Sequence, residues 1–379
     1  MKNEQITFIA TSAMGLESIV ADEIKALGYD PQVENGKITF TASLDAIARC
    51  NLWLRTADRL KIKIGECKVK TFDELYEATK ALPWEQYISE DGEFPVLGKS
   101  HKSTLFSVSD CQAIVKKAIV DRLKWKYGIA NRLEETGPLY KVEVAILNDV
   151  ATLTIDSSGT GLHRRGYRVK QGEAPLKETL AAALILLTNW RGEELLLDPF
   201  CGSGTILIEA ALIGQQIAPG FNRSFASENW SIIDDKIWED AFTEAEDVAK
   251  YDKQLRLIGS DIDHRMVEAS EQNALEAGLS GVIEWKQMQV GDLTLKEDNG
   301  YIVSNPPYGE RMKDKKYVEH IYKEFGKIVR KNESWSIYTL TSHRGFEQLF
   351  GRRATKRRKL FNGFIETQYY QFYGRKNNE

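Results

Sequence analysis

A segment with unusual hydrogen-bonding chemistry, Asn305-Pro306-Pro307-Tyr308, follows a short apolar run at residues 301–304. Two prolines fix the backbone and remove donors, so the Asn305 side-chain oxygen and the Pro306 carbonyl can both accept from one NH₂ group. Accepting both hydrogens of an aromatic amine favours localisation of its lone pair, which makes the nitrogen a better nucleophile. Tyr308 can stack on the ring that carries the amine. The segment therefore predicts a site that holds an aromatic amine.

A glycine-containing turn, Asp198-Pro199-Phe200-Cys201-Gly202-Ser203-Gly204-Thr205, separates an apolar run from a helical pattern. Glycines allow the backbone to approach a ligand closely, and the N–H groups at the start of a helix face that ligand. A nucleoside cofactor is expected here, with a purely structural turn as the alternative. The third glycine of a dinucleotide motif is missing and no Gly-Lys-Ser/Thr follows, which disfavours NAD and ATP.

Three aspartates extend this candidate site. Asp261 ends the next predicted strand, where a carboxylate can accept hydrogen bonds from both ribose hydroxyls. Asp263 is the rival ribose ligand, and either residue could instead cap the following helix. Asp292 could accept from an adenine amino group or could be a solvated loop acid.

Strands and helices alternate from about residue 172 onward, and this alternation predicts a doubly wound α/β domain over residues 161–379. The closing run at residues 363–373 is expected to be an antiparallel strand at or near the sheet edge. Asp198 and Asp261 are much farther apart than the roughly 20 residues of a simple βαβ unit. An insertion containing Trp230 and Trp238 is therefore predicted to loop out.

The first 65 residues show the order β-α-β-β-α-β, which is typical of a ferredoxin-like unit. A second α/β segment, residues 66–160, combines a helix stopped by Pro83 with a helix that begins near Asp110, capped by Ser109 or Asp110. Two alternating runs flank Asn148-Asp149 and predict a hairpin.

Composition limits the class of protein. A chain of 379 residues favours two or three domains, and 42% hydrophobic with 28% charged residues is typical of a globular protein. No run of roughly 20 apolar residues is present, and the first five residues are too polar to open a signal peptide, so a cytoplasmic location is expected. Four cysteines and five histidines are scattered, which predicts free, mostly buried thiols and no metal site.

The formal net charge of −4 hides three basic stretches, and the local distribution of charge is what attracts phosphate. These stretches are residues 99–132, 164–170 and 352–359.

The region from residue 174 to residue 373 resembles the class I S-adenosylmethionine-dependent methyltransferases that carry Asn-Pro-Pro-Tyr. The resemblance implies S-adenosylmethionine as cofactor, S-adenosylhomocysteine as product and Asn305 to Tyr308 as the catalytic amine site. It also implies a set of cofactor-binding residues, the first of which lies in the segment before the first helix of this domain. These residues are Pro175, Asp198, Phe200, Gly202, Gly204, Thr205, Asp261, Ile262, Asp292 and Asn305.

The part through about residue 158 resembles a ferredoxin-like domain followed by a THUMP domain, an RNA-binding module. Together with residues 161–168, it is similar to the amino-terminal half of the RlmL type of 23S rRNA guanine-N2 methyltransferase. The resemblance implies methylation of guanine N2 in structured RNA, with 23S rRNA as the expected partner. Five basic residues would hold phosphates, with a solvated helix face as the alternative for some of them: Lys116, Lys117, Lys124, Arg164 and Arg165.

Three other functions are compatible with these motifs. The amine site contacts an NH₂ group rather than a whole base, so adenine N6 in RNA or DNA is one alternative. Methylation of a glutamine amide in a protein is another, which the RNA-binding resemblance disfavours. The third is an RNA-binding assembly factor whose catalytic site is vestigial, which the intact motifs disfavour.

Overall fold

The computed structural model describes residues 5–169, 176–309 and 312–375. The chain divides into two compact units built from interleaved segments. The first unit takes residues up to 12, 20–162 and 223–244, and the second takes residues 13–19, 163–222 and from 245 onward. Each unit combines one β-sheet with α-helices, so the predicted α/β fold class is confirmed.

The chain up to residue 162 alternates strands and helices in the predicted manner. In chain order, its main elements are β1 (Ile6–Ser12), α1 (Glu17–Ala26), β2 (Gln32–Glu34), β3 (Lys37–Ala42), α2 (Ala46–Trp53), β4 (Ala57–Lys68), α3 (Phe72–Ala81), β5 (Val96–His101), α4 (Val108–Tyr127), β6 (Lys141–Leu147) and β7 (Val150–Asp156).

One sheet joins the ferredoxin-like and following segments, with strand order β2-β3-β1-β4-β7-β6-β5. The long strand β4 pairs antiparallel with β1 on one side and with β7 on the other. The boundary at residue 65 predicted from the sequence falls inside β4. Because the strand belongs to both segments, no linker separates them at that position.

The predicted hairpin turn is present, whereas one helix begins earlier than predicted. Asn148 and Asp149 have φ values of 51° and 62°, so both occupy the left-handed region that a two-residue hairpin requires. Helix α4, however, begins before the predicted caps: Ser107 is its N-cap residue, and Ser109 lies within the helix. Gly128, at φ 71°, ends this helix.

The central part of the insertion between Asp198 and Asp261, residues 223–244, belongs to the first unit. This segment carries the start of helix α7 (Asp235–Val248). Trp230 is only 1% exposed, its ring centroid lies 5.0 Å from that of Tyr140, and its Nε1 donates to the Leu139 carbonyl. Trp238 is also buried. The aromatic residues of the insertion therefore complete a hydrophobic core.

The second unit contains the doubly wound sheet. Its elements outside the insertion are α5 (Glu178–Leu186), β8 (Leu196–Asp198), α6 (Thr205–Gly214), β9 (Leu257–Asp261), α8 (His264–Glu276), β10 (Ile283–Gln287), β11 (Tyr301–Ser304), α9 (Met312–Val329), β12 (Ser336–Thr341), α10 (Phe346–Phe350), β13 (Lys356–Asn362) and β14 (Ile365–Phe372).

The strand order in this sheet is β10-β9-β8-β11-β12-β14-β13. Strands β8 to β12 run parallel, whereas β14 pairs antiparallel with both β12 and β13. The closing strand is thus antiparallel and next to the edge, as predicted, and the edge itself is the cationic strand β13. Within the described ranges, no helix is long and apolar enough to cross a membrane.

Candidate active site

A cavity of about 670 Å³ lies in the second unit, at the carboxyl ends of strands β8, β9 and β11. Ligands of doubly wound sheets bind at this edge, where the loops that follow parallel strands converge. Asp198, Asp261 and Asn305, which the sequence placed in three separate motifs, all line this cavity. Leu176 also lines it, whereas Pro175 lies outside the described residues.

The glycine-containing turn connects β8 to the start of α6. Gly202 and Gly204 have φ values of 53° and 82°, a backbone conformation that side chains other than glycine rarely adopt. A Cβ atom on Gly204 would also lie 2.8 Å from the Trp285 ring, so this glycine is required for packing. Gly202 lines the cavity, and its N–H donates to Asp261 Oδ2 at 3.0 Å. The hydrogen bond ties the turn to the neighbouring strand.

The carboxylates have distinct environments. Asp261 Oδ1 accepts from the Asp263 N–H at 2.9 Å, while Asp263 caps helix α8 by accepting from the Arg265 N–H. Asp263 therefore has the capping role that the sequence left open. The Asp292 side chain is exposed and outside the cavity lining, which includes its neighbour Gly291.

Asp198 is the most deeply buried acid of the site, with 1% of its surface exposed. Burial raises the pKa of this carboxyl to about 8. The Phe200 N–H donates to Asp198 Oδ1, and this hydrogen bond lowers the pKa of Asp198 in part. The Asp261 charge raises the pKa of Asp198 further. An opposite charge beside Asp198 would lower this pKa.

The amine motif follows β11, and its first and last residues contact each other. The Tyr308 hydroxyl donates to Asn305 Oδ1 at 2.5 Å, and Asn362 Nδ2 lies 3.4 Å from the same hydroxyl. Both Asn305 and Tyr308 line the cavity. An incoming amine must therefore share or replace the Tyr308 hydrogen bond to the Asn305 oxygen.

Tyr322 on helix α9 supports the backbone of the amine motif, and no sequence pattern predicted this contact. Its buried hydroxyl donates to the Pro307 carbonyl at 2.7 Å and lies 2.9 Å from Thr341 Oγ1. Burial raises the pKa of Tyr322 well above its usual range, so the hydroxyl stays protonated. The hydrogen bond goes to the second proline and not to Pro306, whose carbonyl is the predicted backbone acceptor of the amine.

Arg168, which belongs to the second basic stretch of the sequence, supports the cavity without lining it. Its guanidinium donates to the Leu176 carbonyl and to Thr205 Oγ1, and it forms an ion pair with Glu178. Leu176 and Thr205 both line the cavity. Arg168 therefore joins the segment before α5 to the start of α6, a long-range contact with no sequence signature.

The lysines predicted to hold phosphates lie on helix α4. Lys116 Nζ lies 2.5 Å from Glu135 Oε2 and 3.4 Å from the centre of the Phe94 ring, so its charge is compensated within the fold. Lys117 is exposed and Lys124 is half-buried. Of these three lysines, only Lys117 is exposed.

The arginines predicted to hold phosphates have different positions. Arg164 is exposed. Arg165 is only 3% exposed and forms an ion pair with Glu209, which also accepts from the Tyr167 hydroxyl. In this structure the Arg165 guanidinium compensates a buried carboxylate.

Comparison with protein families identifies the domain that contains the cavity. Residues 165–371 match the family described as RMKL-like, methyltransferase domain. This chain belongs to the RMKL-like methyltransferase family. Residues 7–61 match the RlmL ferredoxin-like domain, and residues 69–156 match the THUMP domain. The predicted family and its cofactor, S-adenosylmethionine, are confirmed.

Two curated relatives cover nearly all of this chain. YpsC of Bacillus subtilis (strain 168), named "Putative RNA methyltransferase", is 58% identical over 373 residues, which are 98% of this chain and 97% of YpsC. The ribosomal RNA large subunit methyltransferase K/L of Shewanella baltica is 34% identical over 368 residues. This match covers 95% of the chain but only 52% of that relative, so the chain spans about half its length.

Two solved structures are similar over the whole chain. A Listeria monocytogenes protein titled "predicted N6-adenine-specific DNA methylase" is 56% identical with a TM-score of 0.95, covering 98% of this chain and 97% of that one. SMU.472, described as "a putative methyltransferase complexed with SAH", is 45% identical with a TM-score of 0.95, covering 99% of this chain and 100% of that one. Among the described residues, no group of three His, Cys, Asp or Glu is arranged to hold a metal ion.

Proposed function

We propose that this protein methylates the exocyclic amine of a base in RNA, with guanine N2 of 23S rRNA as the target. One observation carries the proposal. The amine acceptor Asn305 lines the same cavity as the glycine turn and Asp261. A nucleoside cofactor and a base amine can therefore meet within one cavity.

The residues around the cavity fit S-adenosylmethionine, which supplies a methyl group bound to a sulfonium sulfur. Asp261 offers carboxylate oxygens to ribose hydroxyls, and the turn at Gly202 leaves backbone space for the ligand. Phe200, Ile262 and Val290 line the cavity with apolar surface suited to a purine ring. Asp198 adds an acid beside the turn.

Asn305 and Pro306 hold the nucleophile. With their two oxygens accepting both amine hydrogens, the nitrogen lone pair is directed away from the acceptors and towards the methyl group. Positive charge develops on the nitrogen during transfer, and the same oxygens stabilise it. When the amine enters, the Tyr308 hydroxyl oxygen can still accept a hydrogen bond from Asn362 Nδ2.

RNA as the substrate is supported by the amino-terminal part of the chain. Residues 69–156 match the THUMP domain, and the relatives described above are named as RNA and ribosomal RNA methyltransferases. We assign RNA binding to residues 66–160, next to a ferredoxin-like segment at 1–65, and methyl transfer to residues 161–379. A ribosomal RNA target would place the activity in the cytoplasm.

Adenine N6 is the second candidate. The Listeria structure carries the name of an N6-adenine-specific DNA methylase, and the amine motif contacts only the NH₂ group. Guanine N2 and adenine N6 offer the same two hydrogens to Asn305 and Pro306. The choice between them depends on how the rest of the base fits the cavity.

The deciding experiment compares modified nucleosides in ribosomal and transfer RNA from wild-type cells and cells that lack the gene. Loss of N2-methylguanosine from 23S rRNA, restored by purified protein and S-adenosylmethionine, is the expected result. Loss of N6-methyladenosine instead would establish the second candidate. Unchanged nucleosides in both RNA classes, with no transfer in vitro, would refute RNA methylation.

The mechanism has its own test in Asn305→Ala. This variant should bind S-adenosylhomocysteine with nearly the wild-type affinity and lose methyl transfer. Asn332→Ala is the matched control, because the Asn332 amide donates to a helix carbonyl away from the cavity. Full activity in Asn305→Ala would exclude the amine-holding role.

A further inference from the structure

A fully exposed aromatic side chain, Phe364, lies at the tip of the hairpin formed by β13 and β14. Asn362 pairs with Ile365, which leaves Gly363 and Phe364 as a two-residue loop. Gly363 has a φ of 62°, as such tight loops require. The hairpin therefore presents the Phe364 ring to solvent.

The hairpin tip lies beside the active-site cavity. The two residues that flank the loop, Asn362 and Ile365, both line the cavity, and the Asn362 amide lies 3.4 Å from the Tyr308 hydroxyl of the amine motif. Phe364 itself is not part of the lining. Its ring is thus next to the cavity but outside it.

The chemistry around the ring favours a nucleic acid over a protein. Strand β13 supplies four consecutive cationic residues, Lys356 to Lys359, along the edge of the sheet. Two of these charges are paired, Arg357 with Glu347 and Lys359 with Glu366, and the Arg358 guanidinium donates to the Gly15 carbonyl and to Ser18 Oγ. Isolated exposed hydrophobic residues are common on protein surfaces, whereas protein interfaces expose contiguous apolar patches. One aromatic ring beside a cationic strand is typical of surfaces that stack bases and follow a phosphate backbone.

We propose that Phe364 stacks on an RNA base adjacent to the nucleotide whose amine enters the cavity. This inference rests on the proposed function. A target base must leave its stack to reach an enclosed site, and the neighbouring base then loses a stacking partner. Phe364 replaces that partner and so holds the opened strand in register with Asn305.

The test uses purified full-length protein, S-adenosylmethionine and deproteinised 23S rRNA from cells that lack the gene. Phe364→Ala and Phe364→Leu should each lower kcat/KM for RNA by about 5- to 150-fold, the range expected for loss of one base–aromatic stack. Phe364→Trp should retain the activity because it keeps an aromatic face. All three variants should bind S-adenosylhomocysteine as the wild type does, since Phe364 does not line the cavity.

Leu275→Ala is the matched control, because Leu275 is an exposed apolar residue of helix α8 outside the cavity lining. It should leave kcat/KM unchanged. Wild-type activity in Phe364→Ala, or equal activity in Phe364→Leu and Phe364→Trp, would overturn the stacking role while leaving RNA methylation intact. Absence of methyl transfer to RNA by the wild-type protein would instead remove the proposed function, and this inference with it.

Discussion

Tyr322 is the residue that fixes the backbone of the amine motif, through its hydrogen bond to the Pro307 carbonyl. Tyr322→Phe removes the hydroxyl and keeps the ring, so we expect a folded protein whose kcat falls by about two- to tenfold. This range corresponds to the net contribution of one hydrogen bond. S-adenosylhomocysteine affinity should stay constant, and steady-state kinetics with calorimetry measure both quantities.

Tyr369→Phe provides the matched control for Tyr322→Phe. Tyr369 is also fully buried and donates its hydroxyl to a backbone carbonyl, that of Leu184, outside the amine motif. The two variants should lose similar stability, but only Tyr322→Phe should lose kcat. Equal loss of kcat in both would show that Tyr322 acts through general stability alone.

Asp198 should make the stability of the free protein depend on pH. Its folded-state pKa of about 8 lies above its ordinary value, so its favourable contribution is complete below about pH 4 and is lost as the pH rises through about 8. Relative to Asp198→Asn, the wild type should lose a few kcal/mol between pH 6 and pH 9. Denaturant unfolding at both pH values measures this difference, and parallel pH profiles would contradict it.

At the scale of elements, the insertion should behave as part of the hydrophobic core. Trp230→Ala removes a buried ring that stacks on Tyr140 and donates to the Leu139 carbonyl. We expect a loss of about 3–5 kcal/mol in the free energy of unfolding, measured by denaturant titration. Trp125→Ala, at an exposed position on α4, should change stability far less. A similar small change for Trp230→Ala would argue that the insertion is dispensable.

At the scale of the whole molecule, RNA binding must overcome a net charge of −4. For the proposed 23S rRNA substrate, we expect local phosphate contacts to make binding weaken steeply between about 50 and 200 mM salt. Lys117→Gln should reduce the slope of log Kd against log salt by about one, whereas Lys116→Gln should leave it unchanged, because Glu135 already compensates Lys116. Filter binding over this salt range tests the difference, and equal slopes for the two variants would refute it.

The sequence predicted the residues that could do chemistry at the site better than it predicted the elements that support those residues. Asn305, Asp261 and the turn at Gly202 follow apolar strands, and parallel strands bring their carboxyl ends to one edge, so their convergence could be predicted. Strand β13 was missed because its cationic residues do not show the apolar pattern of a buried strand. Its position at the sheet edge explains why it can carry those charges.

Long-range packing determines which polar residues support the fold and which line the cavity. Arg165 and Arg168 both look like surface cations in the sequence, yet one compensates buried Glu209 and the other joins Leu176 to Thr205. Local patterns record periodicity along the chain. A contact between residues far apart in sequence, such as that of Tyr322 with Pro307, depends on how helices and strands pack and leaves no periodic trace.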